Sequence, residues 1–417
     1  MAGIFVFERK GVGSLDNEIV VVSAVRTPFG RFGGSLKDMD CYDLGALVMK
    51  EVLARINLNG DVVDEVFWGV GDTSCCKDPF TPVVARQSLL KAGLPPETPS
   101  CSLDKACVSA MSAANYGCRT IRAGEGEVIL AGGVTSFSTV PFLLRNQRFQ
   151  GRKLGHLTLE DPLLELGYKD YAPVARDAGE VALKHGIGRE EQDAWAVRSH
   201  RLYGEAHAAG KFRDEMMSLE LPQKDGSIKV LDMDEQYRPD TTMEQLARLK
   251  PIYGSPTCTA GNAPGLNDGA AALLLTTRAK ARELGLEPLA TIVNMVSIAT
   301  KPGLLAEGPA MAIQKSLSRA GMSIDKVDLI EINEAFAAVT LVSTSMLAGG
   351  DRKKYGALLE KVNVNGGAIA IGHPNTASGA RIMMTLIYEL RRRGGGIGVA
   401  AICGGLAQGD AALIRVD

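Results

Sequence analysis

Four short stretches of the chain place reactive or polar groups inside otherwise apolar sequence. In chain order they are Cys-Val-Ser at 107–109, Asn-Glu-Ala-Phe at 333–336, Gly-His-Pro at 372–374 and Cys-Gly-Gly at 403–405. A thiol becomes a nucleophile when a neighbouring base takes its proton, and backbone amides next to glycine can donate to an oxyanion. Two thiols, an imidazole, a carboxamide and such amides are the groups that acyl transfer through a thioester requires.

Taken one at a time, the same residues have structural explanations. An isolated cysteine such as Cys107 or Cys403 commonly serves as a small buried apolar residue. Asn333 can cap a helix, and His373 can be a loop histidine whose hydrogen bonds are all satisfied. The catalytic interpretation therefore depends on whether the fold brings the four stretches into one pocket.

Cys107 stands where an Ala-rich helix is predicted, over residues 108–123. An ordinary cysteine has a pKa of about 8.5, so only a few per cent is thiolate at neutral pH. A helix N-terminus and a nearby histidine both favour the thiolate. We therefore expect both effects to lower the pKa of Cys107, while Cys403 serves as an acid and base.

Strands and helices are predicted to alternate along both halves of the chain, which indicates an α/β layered fold. The first half has predicted strands at 18–28, 64–71 and 127–133 and predicted helices at 43–56, 81–93 (with Thr81 as N-cap) and 108–123. The second half has predicted strands at 289–299, 326–336 and 397–405, a predicted helix at 308–321, and a loop and amphipathic helix at 371–393.

The second half repeats the pattern of the first, which predicts a duplicated fold with two lobes of one topology. Cys107 and His373 hold equivalent places, because each precedes a helix that leads into a strand and a Gly-Gly pair. A pseudo-twofold axis between the lobes would bring the two side chains together.

The predicted organisation is a leader at 1–17, a first lobe at 18–285 and a second lobe at 286–417. Residues of about 141–255 have no counterpart in the second half and carry four of the five histidines. We expect this polar insertion to fold over the site or between subunits.

Composition excludes several classes of protein. The 417 residues carry a net charge of −2, which argues against nucleic-acid binding by bulk electrostatics and requires a local basic group for any anionic substrate. Eight cysteines, including the adjacent Cys75 and Cys76, are too sparse for a disulfide scaffold and lack zinc-like spacing. Reduced thiols and the absence of a signal peptide or long apolar run favour a cytoplasmic protein.

The four stretches, in this order, closely resemble the signature loops of the thiolase family. The resemblance runs from about Glu18 to the end and includes VVSAVRTPFGRFGGSLKD, RPDTTMEQLARLKP, TAGNAPGLNDGAA and NVNGGAIAIGHP. It implies the thiolase fold, in which two duplicated βαβαβαββ lobes stack in layers and the first lobe carries an inserted loop domain. It also implies a ping-pong Claisen condensation of two acetyl-CoA to acetoacetyl-CoA and CoA, or the reverse thiolysis.

The resemblance implies a role for each candidate catalytic residue. Cys107 would be the nucleophile that becomes acylated, and His373 the base that activates it. Cys403 would remove a proton from the methyl group of the second acetyl-CoA. Asn333 would hold a water that joins His373 in one oxyanion hole, and the backbone N–H groups of Cys107 and Gly405 would form the other.

The resemblance also implies contacts with coenzyme A, which would be a substrate rather than a bound cofactor, and it implies no metal. Arg238 matches a family position near the adenosine phosphate. The remaining predicted contacts line the pantetheine tunnel: His156, Leu157, Ala263, Ala335 and Phe336. We further expect a homodimer or homotetramer.

Six residues depart from the common family pattern: Asp104, Ala110, Pro264, Asn375, Thr376 and Leu157, which stands where short-chain members often carry Met. Asp104 would oppose thiolate formation at Cys107 unless Lys105 or solvent screens it. These changes leave the reactive groups in place and leave the acyl chain length open. Two alternatives follow, a medium- or long-chain 3-ketoacyl-CoA thiolase of β-oxidation, and a catalytically silent acyl-CoA-binding protein. The Asn-Glu-Ala-Phe stretch and Cys403 argue against a ketoacyl synthase.

Overall fold

The computed structural model describes residues 15–71, 82–145, 149, 154–164 and 167–417. The adjacent Cys75 and Cys76, the predicted N-cap Thr81 and most of the predicted leader lie outside these residues.

The described strands are β1 Ile19–Arg26, β2 Gly30–Arg31, β3 Glu65–Val70, β4 Ser100–Leu103, β5 Val128–Thr135, β6 Leu219–Pro222, β7 Ile228–Leu231, β8 Asn267–Thr277, β9 Ala290–Ala299, β10 Leu329–Ile332, β11 Gly396–Gly404 and β12 Gln408–Val416. The described α-helices are α1 Cys41–Ala54, α2 Val84–Ala92, α3 Ser109–Ala123, α4 Val174–Lys184, α5 Arg189–Ala208, α6 Met243–Ala247, α7 Arg278–Glu283, α8 Gly308–Ala320, α9 Ala337–Ala348, α10 Arg352–Leu359, α11 Ala368–Ile371 and α12 Ser378–Arg392. None of these described helices has the length and apolarity needed to cross a membrane.

The sheet confirms the predicted duplication. Its strand order is β10-β11-β12-β9-β1-β8-β5-β3-β4, and the first-half run β1-β8-β5-β3 uses the same antiparallel and parallel pairings as the second-half run β9-β12-β11-β10. β4 pairs parallel with β3, and the isolated parallel bridge between Ile330 and Val362 holds the corresponding place beside β10. The halves join where β1 pairs with β9 at Val20–Thr291 and Val21–Ala290.

The helices α3 and α12 form a central layer between the two halves of the sheet. Their buried side chains, Met111 and Met383 among them, share one apolar core with Ile129 of β5 and Ala400 of β11. Helices α1 and α2 pack on the outer face of the first half, and α8 and α9 pack on that of the second. The predicted duplicated α/β fold, stacked in layers, is therefore confirmed.

Two predicted elements differ from the structure for identifiable reasons. α12 was expected to be amphipathic, but it is buried from Ser378 to Leu390 because sheets or helices cover it on every side. The helix predicted to begin near Thr81 begins at Val84, where Val83 takes a left-handed φ of 53° that no helix can continue.

The polar insertion between β5 and β8 contains α4, α5, α6 and the β6–β7 hairpin. Arg26 of β1 anchors it, because its guanidinium donates to Glu215 at 2.8 Å and to Asp234 at 2.7 and 2.9 Å. All three side chains are buried. Removing one partner of such a cluster would leave a buried charge unpaired, so the ion pairs hold the insertion in one position on the sheet.

A loop of the second half is pressed against the ends of two first-half strands. The carbonyl oxygen of Thr376 accepts from the backbone N–H of Ala110 at 3.1 Å, and a Cβ placed on Gly133 would overlap that carbonyl oxygen. A Cβ on Gly69 would lie 2.8 Å from it. The Thr376 hydroxyl also contacts Thr135 Oγ1 at 2.7 Å, so this departure from the family pattern forms hydrogen bonds between the halves.

Replacing Gly133 by Ala should lower the thermal unfolding midpoint and the rate of Cys107 acylation together. The added methyl overlaps a backbone oxygen, which cannot rotate away, and overpacking of this kind costs about 1–3 kcal/mol. Scanning calorimetry and the acylation rate measure the two effects. The matched control is Gly356→Ala in α10, where a Cβ meets nothing within 4 Å and Ala is favoured by about 0.5–1 kcal/mol. A Gly133→Ala variant as stable as the wild type would contradict the close contact.

Candidate active site

One cavity of about 360 Å³ lies where the two halves and the insertion meet. Most of the sequence-predicted site residues line it: Cys107, His373, Cys403, Gly405, Arg238, Ala263, Ala335 and Phe336. Two of the family departures, Pro264 and Asn375, line it as well.

Cys107 lies in a single 3-10 turn, Ala106–Val108, that precedes α3 rather than in the helix itself. Ala106 takes a left-handed φ of 50°, a strained conformation for a residue with a Cβ. Asp104 stabilises the turn, because its carboxylate accepts from the Ala106 N–H at 2.8 Å. Ser109 closes it by donating to the Ala106 carbonyl at 2.6 Å and accepting from the Lys105 N–H at 2.8 Å.

Lys105 ties the nucleophile loop to the other half of the molecule. Its ammonium lies 2.6 Å from Asp410 on β12, 3.2 Å from Ser112 and 3.3 Å from Ser297. Asp410 is only 1% exposed. Lys105 is thus committed to Asp410, and the negative charge of Asp104 is left to solvent.

His373 approaches Cys107 from the opposite half, with Nε2 3.2 Å from the Cys107 Sγ. Its other ring nitrogen, Nδ1, lies 2.7 Å from Ser378 Oγ, and that hydroxyl donates to the Pro374 carbonyl at 2.9 Å. Ser378 therefore accepts from Nδ1–H, which leaves the lone pair of Nε2 facing the thiol. The His373 backbone N–H donates to Asn267 Oδ1 at 2.9 Å, which fixes the start of this loop on β8.

Asn333 lies behind the imidazole and is fully buried. Its Nδ2 is 3.4 Å from His373 Nδ1, and its Oδ1 accepts from Arg381 at 3.1 Å. Arg381 in turn donates to Glu331 at 2.8 Å, and both side chains are buried. Asn333 is not among the residues that line the cavity, so its position does not support the expected shared water beside Nε2. The sequence pattern located Asn333 but not the face of His373 that it contacts.

Burial controls the charges of the central pair. Desolvation, with a smaller contribution from the Asp104 carboxylate, raises the pKa of Cys107 to about 12. Desolvation and the nearby Arg381 charge lower the pKa of His373 to about 3. The resting pair is therefore a thiol and a neutral imidazole. The expected lowering of the Cys107 pKa is wrong, because loss of water outweighs the effect of the following helix.

Cys403 lies next to the end of β11, lines the cavity and is 1% exposed. Burial raises its pKa, and so does the negative charge that Cys107 would carry as a thiolate. The backbone after Cys403 packs tightly on the nucleophile loop, since a Cβ on Gly404 would lie 2.9 Å from Val108 and one on Gly405 3.1 Å from Ala106. Only glycines allow the two loops this approach.

Two of the predicted coenzyme A contacts lie away from the cavity. His156 and Leu157 belong to an exposed stretch of the insertion, and Leu157 is 57% exposed. Neither residue lines the cavity, where the insertion contributes Leu163, Tyr168 and Val174 instead. The predicted contacts of His156 and Leu157 with coenzyme A therefore stay predictions.

The structure also assigns Glu334 a place that the sequence pattern left open. Its buried carboxylate accepts from Trp195 at 2.9 Å, Ser199 at 2.8 Å, Asn363 at 3.0 Å and the Ile369 N–H at 3.0 Å. The bonds from Trp195 and Ser199 anchor the segment that begins with Asn333 to α5 of the insertion, and the other two join it to residues 363–369 of the second half. In the sequence, the feature that could have indicated the role of Glu334 is an ionisable residue inside an otherwise apolar stretch. No comparable feature of the sequence marks Tyr168.

Comparison with known proteins identifies the relatives of the chain. The family model for the thiolase N-terminal domain matches residues 19–279, and the model for the thiolase C-terminal domain matches residues 286–416. An acetyl-CoA acetyltransferase of Pseudomonas aeruginosa is 41% identical over 406 residues, covering 96% of this chain and 100% of the relative. The crystal structure of human mitochondrial 3-ketoacyl-CoA thiolase is 38% identical with a TM-score of 0.90, covering 97% of this chain and 100% of that chain. The structure of the same human protein in complex with CoA has a TM-score of 0.89 at 38% identity, covering 97% of this chain and 99% of that chain.

Alkylation of Cys107 by iodoacetamide should rise about tenfold per pH unit between about pH 6 and pH 9, without a plateau. The reason is that only the thiolate reacts, and burial raises the pKa of Cys107 far above this range. Peptide mass analysis follows this cysteine separately from the exposed Cys101.

The control for this measurement is Asp104→Asn, which keeps an oxygen for the Ala106 N–H and removes the negative charge. It should raise the alkylation rate a few-fold at every pH, because the carboxylate contributes to the raised pKa of Cys107. A rate that levels off below pH 7 would show a thiolate–imidazolium pair instead.

Proposed function

The chain belongs to the thiolase family, and we propose that it condenses two acetyl-CoA molecules to acetoacetyl-CoA and CoA or catalyses the reverse thiolysis. Members of this family are acyltransferases that act on CoA thioesters, and this chain is one of them. The observation that carries the proposal is the 3.2 Å contact between Cys107 Sγ and His373 Nε2, inside an apolar cavity that Cys403 also lines.

In the proposed first half-reaction, His373 Nε2 takes the proton of Cys107 as the sulfur attacks the thioester carbonyl of acetyl-CoA. The new bond joins Cys107 Sγ to the acetyl carbon, and the bond from that carbon to the CoA sulfur breaks. The departing CoA thiolate takes a proton from Cys403. This leaves acetyl-Cys107, an imidazolium at His373 and a thiolate at Cys403.

In the second half-reaction, the Cys403 thiolate removes a proton from the methyl group of another acetyl-CoA. The resulting carbanion attacks the carbonyl of acetyl-Cys107, so that a carbon–carbon bond forms and the bond to Cys107 breaks. Cys107 recovers its proton from the His373 imidazolium, and both cysteines return to thiols. We propose that the backbone N–H groups of Cys107 and Gly405 hold the carbonyl oxygen throughout.

The buried groups behind His373 support its role as base. Ser378 fixes the tautomer that presents Nε2 to Cys107, and Asn333 lies against Nδ1. The positive charge of Arg381 disfavours imidazolium at rest. We propose that His373 therefore takes a proton only while negative charge develops at the cysteines, which keeps the resting site neutral.

Arg238 is the proposed partner for an anionic group of coenzyme A. It lies exposed on the cavity wall, and with the described residues it forms no ion pair. Ala263, Ala335 and Phe336 supply the apolar wall on which a pantetheine chain would lie. The human relative's structure in complex with CoA supports a coenzyme A site in this fold, and no metal or further cofactor is part of the proposal.

A second candidate is a thiolase for longer 3-ketoacyl-CoA substrates. Apolar side chains of the insertion and of the second half, Leu163, Val174, Ile252 and Leu305, line the cavity and could accommodate a longer acyl chain. The human neighbour is named as a 3-ketoacyl-CoA thiolase. Rates of thiolysis of 3-ketoacyl-CoA substrates from C4 to C16 distinguish the two candidates, and consumption of CoA measures these rates.

We also propose a cytoplasmic homodimer or homotetramer. β4 is the last strand of the sheet, no described strand pairs with its outer edge, and Cys101 on it is exposed. Such an edge favours pairing with a second copy of the chain.

Three single substitutions should separate the half-reactions. With acetyl-CoA, the wild type and Cys403→Ala should each gain one acetyl group on Cys107, Cys107→Ala should gain none, and His373→Ala should acylate slowly. Cys403→Ala should fail to exchange the methyl protons of acetyl-CoA with solvent deuterium. Intact-mass analysis and deuterium incorporation measure the two steps.

The outcomes of this experiment are distinct. An acetyl adduct that persists in Cys107→Ala would remove Cys107 from the nucleophilic role, and normal exchange by Cys403→Ala would mean that another base acts. A wild type that binds acetyl-CoA without forming an adduct would favour the catalytically silent alternative.

Replacing Arg238 by Ala should raise KM for CoA about 5- to 150-fold and change kcat much less, because the contact supports binding rather than chemistry. This rise in KM corresponds to the loss of a charge-assisted contact of about 1–3 kcal/mol. Steady-state thiolysis at two salt concentrations measures it. The matched control is Arg201→Ala on α5, a residue whose described ion pair is with Glu205 and which does not line the cavity. An unchanged KM in Arg238→Ala would place the coenzyme elsewhere.

A further inference from the structure

Tyr168 reaches the reactive loops from the insertion and has no role in the reaction described above. It lines the same cavity as Cys107, Cys403 and Gly405. A Cβ placed on Gly405 would overlap the Tyr168 hydroxyl oxygen and lie 3.2 Å from the ring carbon that bears it. The phenol therefore lies directly against the backbone of Gly405, and a side chain at position 405 would displace it.

With the described residues the hydroxyl of Tyr168 forms no hydrogen bond, and the half-buried side chain lines the cavity. Burial raises the pKa of Tyr168, and negative charge at Cys107, Asp104 or Cys403 raises it further. The phenol thus keeps its proton through the whole reaction, including the state with a Cys403 thiolate.

A donor that faces the cavity can bind an acceptor that the substrate supplies, and the bond is worth more once the substrate excludes water. The acyl group on Cys107 brings a carbonyl oxygen to the region between Cys107 and Gly405. That oxygen becomes negatively charged in each half-reaction, when a hydrogen bond to it strengthens.

We propose that Tyr168 is a further catalytic residue, whose hydroxyl donates to the carbonyl oxygen of the acyl group carried by Cys107. This inference rests on the proposed function, because it requires an acyl group on that cysteine. Tyr168 forms no covalent bond and transfers no proton. It adds a third donor to the backbone N–H groups of Cys107 and Gly405.

The test compares Tyr168→Phe with Tyr171→Phe in the full-length enzyme. Tyr168→Phe removes one oxygen and keeps the ring against Gly405. Its kcat should fall about 10- to 100-fold, while KM for CoA and acetoacetyl-CoA stays within about twofold, because loss of an oxyanion donor acts on the transition state. Tyr171 lies on the same segment, is 50% exposed and does not line the cavity, so Tyr171→Phe should behave as the wild type.

A second readout observes the hydrogen bond directly. Enzyme acetylated with acetyl-CoA that carries carbon-13 at the carbonyl gives an infrared band for the thioester on Cys107. Donation from Tyr168 lowers the frequency of that band, so it should lie higher in Tyr168→Phe than in the wild type and in Tyr171→Phe. Loss of packing alone would not produce this shift, and thermal melting checks that all three proteins fold.

Each outcome decides the proposal. A Tyr168→Phe variant with wild-type kcat, or one with an unchanged carbonyl frequency, would overturn it while leaving the proposed function intact. A wild type that forms no acetyl adduct would instead defeat the proposed function, and this inference with it.

Discussion

The contact between Cys107 and His373 is the constraint on which the rest of the structure depends. The two residues come from opposite halves of a duplicated chain, and their atoms must lie 3.2 Å apart. Neither half can achieve this alone, so the halves must meet at backbone distance. Gly133 meets the Thr376 carbonyl, and Gly404 meets Val108, at places where a Cβ would force the loops apart. Helix α12 is buried from Ser378 to Leu390, and α3 is buried over most of its surface, because the two helices carry the two loops into the middle of the molecule.

Burial has a second consequence, which is a site that is neutral at rest. Removing water raises the pKa of Cys107 and lowers that of His373, so charge appears only when substrate reacts. Two charges close to the reactive loops are paired, Lys105 with Asp410 and Arg381 with Glu331, whereas Asp104 and Arg238, which form no ion pair with the described residues, are exposed. These pairs hold the two loops in position. Because each pair joins opposite charges, the pairs place ions around the pocket without adding to the net charge of the chain, which is −2.

The insertion gives the duplicated core its asymmetry. The core by itself has two equivalent helix-entry loops, one with a thiol and one with an imidazole. Ion pairs at Arg26 and hydrogen bonds at Glu334 hold the insertion to both halves. It contributes apolar side chains, the cation of Arg238 and the phenol of Tyr168 to the cavity lining. The lining is therefore asymmetric although the core is duplicated.

The amino-acid sequence by itself determined the family, the duplicated α/β fold and the identity of the reactive groups. Each of these leaves a local or repeated signal, as in the short motifs around Cys107, Asn333, His373 and Cys403. The tertiary structure alone decided the charge state of those groups, because desolvation depends on everything packed around them. It also decided the side of His373 on which Asn333 lies, and the partner of Lys105. Finally, it decided that Tyr168 and Val174 of the insertion line the cavity, since a polar insertion without periodicity is positioned by contacts between residues far apart in the chain.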